Sequence, residues 1–118
     1  MAKITKISIV AALIAAAASG PLAAQAMPTR VTAKALSAVC AENRAACLTY
    51  VLGAIDGVVA TSMVGSGRQP LCLPRQGSND QLAQTVFRYL KAHPEQGNAN
   101  GATIVVVALL EAHPCPRR

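Results

Sequence analysis

Cysteine and histidine are the residue types of this chain best suited to chemistry, and there are few of them. The sequence contains four cysteines and two histidines: Cys40, Cys47, Cys72, Cys115, His93 and His113. No two cysteines have the C-x-x-C spacing of a zinc site, and two histidines do not complete one, so we predict no metal site. An even number of cysteines in a small exported chain is typical of disulfides. If the chain is exported, the sequence predicts two disulfide bonds.

Carboxylates suited to general acid or base catalysis are also scarce. The acidic residues are Glu42, Asp56, Asp80, Glu95 and Glu111. All except Asp56 have a simple interpretation as a helix cap or as a solvated charge near a helix end. A cysteine nucleophile would need a free thiol beside a histidine, and Cys115, which is near His113, is better explained by a disulfide. We therefore predict no catalytic residue, no cofactor and no enzymatic activity.

The first 26 residues have the features of a secretory signal peptide. Lys3 and Lys6 form a positive start, residues 7–18 form an apolar run, and Ala24-Gln25-Ala26 is a small-x-small cleavage site. A membrane anchor is the alternative, but the apolar run is well short of the roughly 20 residues that span a bilayer. We predict a signal peptide at residues 1–26 and an exported domain at residues 27–118, with no membrane insertion after cleavage.

Composition excludes several classes of protein. The chain has 118 residues, of which 53% are hydrophobic and 14% charged, and its net charge is +6. This length allows one domain, and this composition is unlike that of a disordered tail. Aromatic residues make up only 3%, which disfavours binding of single-stranded nucleic acid by base stacking. Because the arginines are scattered along the chain, we expect no nucleic-acid partner.

Apolar periodicity predicts the first three helices of the exported domain. Thr32 is a candidate cap for a helix at Ala33–Glu42. Apolar residues at i, i+3, i+4 and i+7 predict a second helix over residues 46–64, which Gly65-Ser66-Gly67 ends. Ser78 and Gln81 match a capping box at the start of a third helix, which must stop before Pro94.

The last predicted element is ambiguous between helix and strand. Residues 104–110 are all apolar and rich in β-branched types, so periodicity alone does not separate a buried strand from a buried helix. Because no other segment has a strand pattern, we predict a helix over residues 102–113, with Asn100 as its cap. The predicted fold class is all-α: a small, disulfide-stabilised bundle of about four helices.

Three residues are unusual inside the second predicted helix. Gly53 and Gly57 each cost about 1 kcal/mol relative to alanine, which suggests that another backbone approaches closely on their face. A membrane helix with a G-x-x-x-G contact is the alternative, but Asp56 would be costly in lipid. We expect a soluble buried helix in which Asp56 is hydrogen-bonded to a backbone amide or to an arginine.

The order of the helices suggests how the four cysteines pair, among the three pairings that are possible. If the helices run up, down, up and down, Cys40 and Cys47 lie at one end of the bundle. Cys72 and Cys115 then lie together at the other end. This arrangement favours the pairs Cys40–Cys47 and Cys72–Cys115.

Several short motifs occur in a specific order between residues 35 and 115. They are Cys47-x-x-Tyr50-x-x-Gly53-x-x-Asp56-Gly57, Leu71-Cys72-Leu73-Pro74, Gln81-Leu82, Tyr89-Leu90-x-x-His93-Pro94 and Ala108-Leu109-x-x-x-His113-Pro114-Cys115. In this order and spacing the chain resembles the Rap/Tai family of immunity proteins. Those are small, exported, helical proteins that protect a Gram-negative bacterium from type VI secretion effectors that are peptidoglycan amidases.

The resemblance implies a periplasmic protein, often a homodimer, that blocks the active-site cleft of a cognate amidase through a protruding helix or loop. It also implies that the shared residues carry the fold: Tyr50, Gly53, Asp56, Gly57, Pro74, Leu90, Pro94 and Pro114. Variable loops would contact the effector, and our candidates there are Arg68, Gln69, Arg75 and Gln76. The alternative is a periplasmic structural or acid-stress chaperone-like protein without a cognate effector.

Overall fold

The computed structural model describes residues 30–117, and these residues contain four α-helices and one 3-10 turn. The elements are α1 (Ala33–Glu42), α2 (Arg44–Ser66), α3 (Asn79–Ala92), the 3-10 turn (Pro94–Gln96) and α4 (Gly101–Ala112). The prediction of an all-α, disulfide-stabilised fold is confirmed, and the ambiguous apolar run at residues 104–110 is helical. The predicted signal peptide and its cleavage site lie outside the described residues.

Side-chain caps begin three of the helices at the residues that the sequence predicts. The Thr32 hydroxyl accepts a hydrogen bond from the first turn of α1, and the Asn100 side chain does the same for α4, each at 3.2 Å. Before α3, the Ser78 hydroxyl accepts from the Gln81 N–H at 3.2 Å, while the Gln81 side chain accepts from the Ser78 N–H at 3.0 Å. This reciprocal pair is a complete capping box.

Helix α2 is longer at both ends than predicted, because its capping residues lie further out. The Asn43 side chain accepts from the N–H of Ala46 at 2.9 Å, so α2 begins at Arg44, immediately after α1 ends. At the other end Gly67 adopts a left-handed conformation with φ of 65° and ends the helix. Glycine takes this conformation without the steric cost that a Cβ would add.

One hydrophobic core joins all four helices and the segment between α2 and α3. Helix α2 contributes Cys47, Val51 and Ile55, and the connecting segment contributes Leu71. The remaining buried core residues are Ala33, Leu36, Cys40, Ala83, Val86, Leu90, Ile104, Val105, Ala108 and Leu109. Because Leu71 is only 2% exposed, the connecting segment is held to the body of the domain.

The helix directions differ from the predicted up-down-up-down order. The start of α1 lies beside the end of α3, where the Lys34 N–H donates to the Gly97 carbonyl at 2.9 Å. Near the start of α3, Asp80 binds Arg44, which begins α2 directly after α1. Helices α1 and α3 are therefore antiparallel, whereas the predicted order makes them parallel. The direction of α3 depends on the path of residues 67–78, which local patterns do not determine.

The two disulfides consequently flank the N-terminal half of α3, rather than opposite ends of the bundle. Cys40 and Cys47 line a groove together with Asp80 and Ala83 of α3. On another side of α3, His113, two residues before Cys115, lines a depression with Ser78 and Leu82. The predicted pairs are present, although the predicted placement of the second pair was wrong.

The face of α2 that carries Gly53, Asp56 and Gly57 is exposed, which corrects three expectations. A Cβ built on either glycine would meet nothing within 4 Å, so no backbone of residues 30–117 approaches closely there. Asp56 is exposed and forms no hydrogen bond or ion pair with any residue in 30–117. The predicted burial of α2 is also wrong for its second half, since none of its residues after Ile55 is buried. A helix of 23 residues is about 35 Å long, and the shorter helices cover only part of it.

Helix α2 has the length and composition of a membrane-spanning segment. However, its Cys47, Val51 and Ile55 pack in the core against the other helices, and a disulfide joins its first turns to α1. We therefore interpret α2 as the central helix of the domain.

Candidate partner-binding surface

The four cysteines are all paired, so none of them offers a thiol. Cys40 is bonded to Cys47 with their Cα atoms 4.6 Å apart, and Cys72 to Cys115 with Cα atoms 5.2 Å apart. The first bond closes seven residues between α1 and α2. The second closes 43 residues and joins the segment before α3 to the segment after α4. Both cystines therefore act as crosslinks of the scaffold.

The histidine at the end of α3 is engaged in local contacts. His93 lies against the Tyr89 ring with a centroid separation of 4.1 Å, and its Nδ1 is 3.0 Å from a carboxylate oxygen of Glu95. Hydrogen bonds from the Glu95 backbone and from His93 lower the pKa of the Glu95 carboxyl. Within residues 30–117, no three His, Cys, Asp or Glu side chains are grouped closely enough to hold a metal ion.

An ion pair between Arg44 and Asp80 links the first turns of α2 and α3. The Arg44 Nε donates to Asp80 at 2.6 Å, a second guanidinium nitrogen donates to the other carboxylate oxygen, and the Gln84 amide also donates to Asp80. Hydrogen bonding by Arg44 lowers the pKa of the Asp80 carboxyl. The sequence predicts Asp80 as a helix cap and gives no sign of this pair, since no local spacing relates two residues 36 positions apart.

Residues 67–78 form the longest irregular segment between the helices, and it is anchored at its middle. Leu71 is buried in the core, and Cys72 is bonded to Cys115. Past the disulfide, Gly77 has φ of 136°, and a Cβ there would lie 2.9 Å from the Gln81 side-chain oxygen. The segment is therefore held by a core contact, a covalent bond and a glycine-dependent turn into the capping box.

The four predicted contact residues all lie on this segment and are exposed. Arg68 and Gln69 precede the buried Leu71, whereas Arg75 and Gln76 follow the disulfide. The anchored middle separates the two exposed pairs. The structure thus places them on one connection, which we name the 67–78 segment.

The last turn of α2 adds apolar surface next to the 67–78 segment. Val64 is 91% exposed and Met63 is 49% exposed. Large apolar side chains at this exposure contribute little to folding, and such surface is typical of protein contact sites when it is contiguous. The prediction that Met63 belongs to a buried stripe of α2 is wrong, because the other helices do not cover the end of α2.

The residues assigned to the scaffold differ in how far they are buried. Leu90 is buried and Tyr50 is half-buried, and Pro94 begins the 3-10 turn. By contrast, Pro74 and Pro114 are exposed and lie beside the cystine that joins the two termini of the α3–α4 hairpin. Gly53, Asp56 and Gly57 form the exposed face of α2 described above.

Comparison with known proteins gives one family. The family model described as Rap1a immunity proteins matches residues 32–115 of the chain. These residues include all four helices and both disulfides. No curated protein and no solved structure gives a match.

Proposed function

The chain belongs to the Rap1a family of immunity proteins, and we propose that it binds and inhibits a type VI secretion peptidoglycan amidase in the periplasm. Immunity proteins act by binding a cognate effector and are not normally catalytic. Membership of the family therefore supports a binding role for this chain. The amidase class of the effector, the periplasmic compartment and the contact surface are our proposals.

The display of exposed side chains on the 67–78 segment is the observation that carries the proposal. Its backbone is fixed by the buried Leu71 and the Cys72–Cys115 bond, while its arginines and glutamines face solvent. A segment that is already ordered loses less conformational entropy on binding than a flexible loop. Arginine is also among the residues that most often dominate interface energetics. The neighbouring exposed Val64 extends this surface with apolar area.

The disulfides support a location outside the cytoplasm. Disulfides form and persist in oxidising compartments such as the bacterial periplasm. Both bonds of this chain join separate elements, and the chain begins with a sequence that is typical of export signals. We propose export of residues 27–118 and a periplasmic site of action.

We also propose that the protein forms a homodimer, which the resemblance to the Rap/Tai family implies. Light scattering coupled to size-exclusion chromatography measures the mass in solution. A single species at the mass of one chain across the accessible concentrations would exclude the homodimer.

Co-purification with the candidate effector tests the immunity function. If a small secreted amidase with a catalytic cysteine and histidine is encoded beside this chain, the two purified proteins should form a complex that no longer hydrolyses peptidoglycan. The Arg68→Ala/Arg75→Ala variant should weaken the complex, and the Arg30→Ala/Arg117→Ala variant, with the same change of charge elsewhere, should not. Absence of both a complex and protection of cells that express the effector would contradict the proposal.

The chaperone-like alternative has a separate readout. The purified protein would then suppress aggregation of unrelated proteins at acidic pH and would leave the amidase active. That combination would replace the immunity function by an envelope stress function.

A further inference from the structure

A groove lies between α1 and the end of α3 and has the volume of a ligand-binding site. Its volume is about 550 Å³, which is within the range of roughly 300–1,000 Å³ for ligand sites. Small side chains of α1 form one wall, among them Ala38 and Ala41, and the buried Leu90 lies on the α3 side. Two of its lining residues are bonded to each other, because the Lys34 N–H donates to the Gly97 carbonyl. We name this cleft the α1–α3 groove.

Among residues 30–117, the side chains that contribute full charges to the lining of the α1–α3 groove are both cationic. Lys34 lines it from α1 and Lys91 from α3, and no carboxylate lines it. Lys91 also lines an adjoining groove beside the Cys40–Cys47 disulfide, which contains Arg44 and Arg88. The one acid there, Asp80, is already paired with Arg44. Half of the Lys and Arg residues in the described part of the chain therefore border these two adjoining grooves.

Folding alone does not favour a cation at Lys34, whereas the position of Lys91 is favourable. Lys34 lies in the first turn of α1, where the positive end of the helix dipole disfavours a cation, and that turn contains no acid. Lys91 lies in the last turn of α3, and its ammonium is 4.5 Å from the Phe87 ring centroid. A cation–π contact of this kind holds the ammonium over the ring. Lys91 is thus positioned between the two grooves.

We propose that the α1–α3 groove binds an acidic, extended segment of a partner protein. Carboxylates of that segment pair with Lys34 and Lys91, and its small or apolar side chains lie against Ala38, Ala41 and Leu90. Charge complementarity of this kind steers encounter and fixes register. The inference goes beyond the proposed function, because it names the chemistry of an occupant and does not require that the partner is an amidase.

A second copy of this chain does not supply such a segment. Asp80 is bound by Arg44 and Glu95 by His93. The remaining acids, Glu42, Asp56 and Glu111, lie singly on three different helices. A nucleic acid is also disfavoured, since neither aromatic ring that lines the two grooves in residues 30–117 is open: Phe87 is covered by Lys91, and His93 lies against Tyr89. Single-stranded binding sites use open rings for stacking.

Fluorescence anisotropy with defined probes tests the proposal. A fluorescein-labelled octapeptide of alternating Glu and Ala is titrated with the purified, disulfide-bonded protein, beside a Gln–Ala octapeptide and an oligothymidylate of similar length. We expect binding of the Glu–Ala peptide that weakens about tenfold or more in Lys34→Glu/Lys91→Glu. The charge-matched Arg30→Glu/Arg117→Glu variant should change the affinity less than twofold.

Three outcomes would overturn the proposal. They are equal loss of affinity in both charge-reversal variants, equal binding of the Gln–Ala peptide, and tighter binding of oligothymidylate that also depends on Lys34 and Lys91. Thermal melts and the milder Lys34→Gln/Lys91→Gln variant guard against unfolding as the cause. A failed amidase co-purification with intact peptide binding would contradict only the proposed function, and the reverse result would contradict only this inference.

Discussion

The hydroxyl of Tyr50 lies against the backbone of Gly101, at the first residue of α4. A Cβ on residue 101 would be 2.9 Å from this oxygen and 3.0 Å from the Val31 carbonyl oxygen. Burial raises the pKa of Tyr50, and a hydrogen bond with the backbone of Ala102 partly offsets that shift. The contact joins the middle of α2 to the start of α4 and leaves no room for a side chain at residue 101.

Substitution Gly101→Ala should therefore destabilise the fold. The added methyl group forces Tyr50 or the residue 31 backbone to move, and overpacking of this kind costs about 1–3 kcal/mol. Gly53→Ala and Gly57→Ala are matched controls, because a Cβ at either position meets nothing within 4 Å. Each should raise stability by up to about 1 kcal/mol through helix propensity. Urea denaturation measures all three, and a destabilising Gly53→Ala would show that this face is covered in solution.

The Arg44–Asp80 pair should make stability depend on pH in the acid range. Hydrogen bonding by Arg44 lowers the pKa of Asp80 from its ordinary value of 3.8. A carboxyl whose pKa is lower in the folded state adds stability above its unfolded pKa, and this stability is lost as the pH falls through the folded pKa. We expect Arg44→Gln to raise the pKa of Asp80 and to reduce the loss of stability below about pH 4.

Carboxyl ¹³C chemical shifts give the pKa of Asp80 directly, and urea unfolding at several pH values gives the stability. Arg88→Gln is the control, since Arg88 lines the same groove but does not bind Asp80. Glu95, whose pKa is also lowered, should keep part of the acid sensitivity in Arg44→Gln. An unchanged Asp80 titration in that variant would show that the ion pair does not persist in solution.

The sequence predicted those parts of the structure that depend on residues near one another in the chain. Thr32, Ser78 and Asn100 cap helices as expected, because a capping side chain binds a backbone N–H three residues away. The prediction of a close contact at Gly53 and Gly57 is wrong. The close contact is at Gly101, and it depends on residues distant in the chain, which local patterns do not reveal.

The sequence predicted contacts between distant residues only in part. The cysteine pairs were predicted even though the helix directions were not, since each pair lies in segments that adjoin in more than one arrangement. The α1–α3 groove and the Arg44–Asp80 pair were missed, because both depend on α3 running antiparallel to α1. The exposure of the four contact candidates follows from their loop positions, and their role in binding stays a prediction. The exposure of Val64 depends on how much of α2 the shorter helices cover.

The two disulfides should differ in their response to reduction. Cys40 and Cys47 are buried, whereas Cys115 is exposed, so a mild reductant should open Cys72–Cys115 first. Alkylation of the released thiols followed by peptide mapping identifies the order. Mapping without reductant should give the pairs Cys40–Cys47 and Cys72–Cys115, and a peptide that links Cys40 to Cys72 or Cys115 would contradict the fold.

Loss of the longer crosslink should also cost more stability. In the chain-entropy estimate, closing 43 residues contributes about 4 kcal/mol and closing seven residues about 2 kcal/mol. Cys72→Ala/Cys115→Ala should therefore lower the free energy of unfolding by about 4 kcal/mol. For Cys40→Ala/Cys47→Ala, loop closure alone accounts for about 2 kcal/mol. Substitution of the buried pair adds a packing loss of its own. The loop term of Cys72–Cys115 is therefore best measured by comparing wild-type protein reduced at this bond alone with the fully oxidised protein.

Export should remove residues 1–26. Protein recovered from the periplasmic fraction should begin at Met27, which intact-mass measurement resolves. Ala24→Leu/Ala26→Leu should block cleavage, because signal peptidase sites require small residues at these positions, and the precursor should then remain with the membrane. A periplasmic protein that retains residue 1 would contradict the prediction.

The apolar end of α2 allows binding and folding to be separated at one position. Val64 is 91% exposed, so Val64→Lys should change stability by no more than about 0.5 kcal/mol. Val105 has the same side chain but is fully buried, and Val105→Lys should unfold the domain. If the end of α2 and the 67–78 segment form one contact surface, Val64→Lys should weaken the effector complex about tenfold or more. Unchanged affinity in a folded Val64→Lys protein would confine the contact surface to the 67–78 segment.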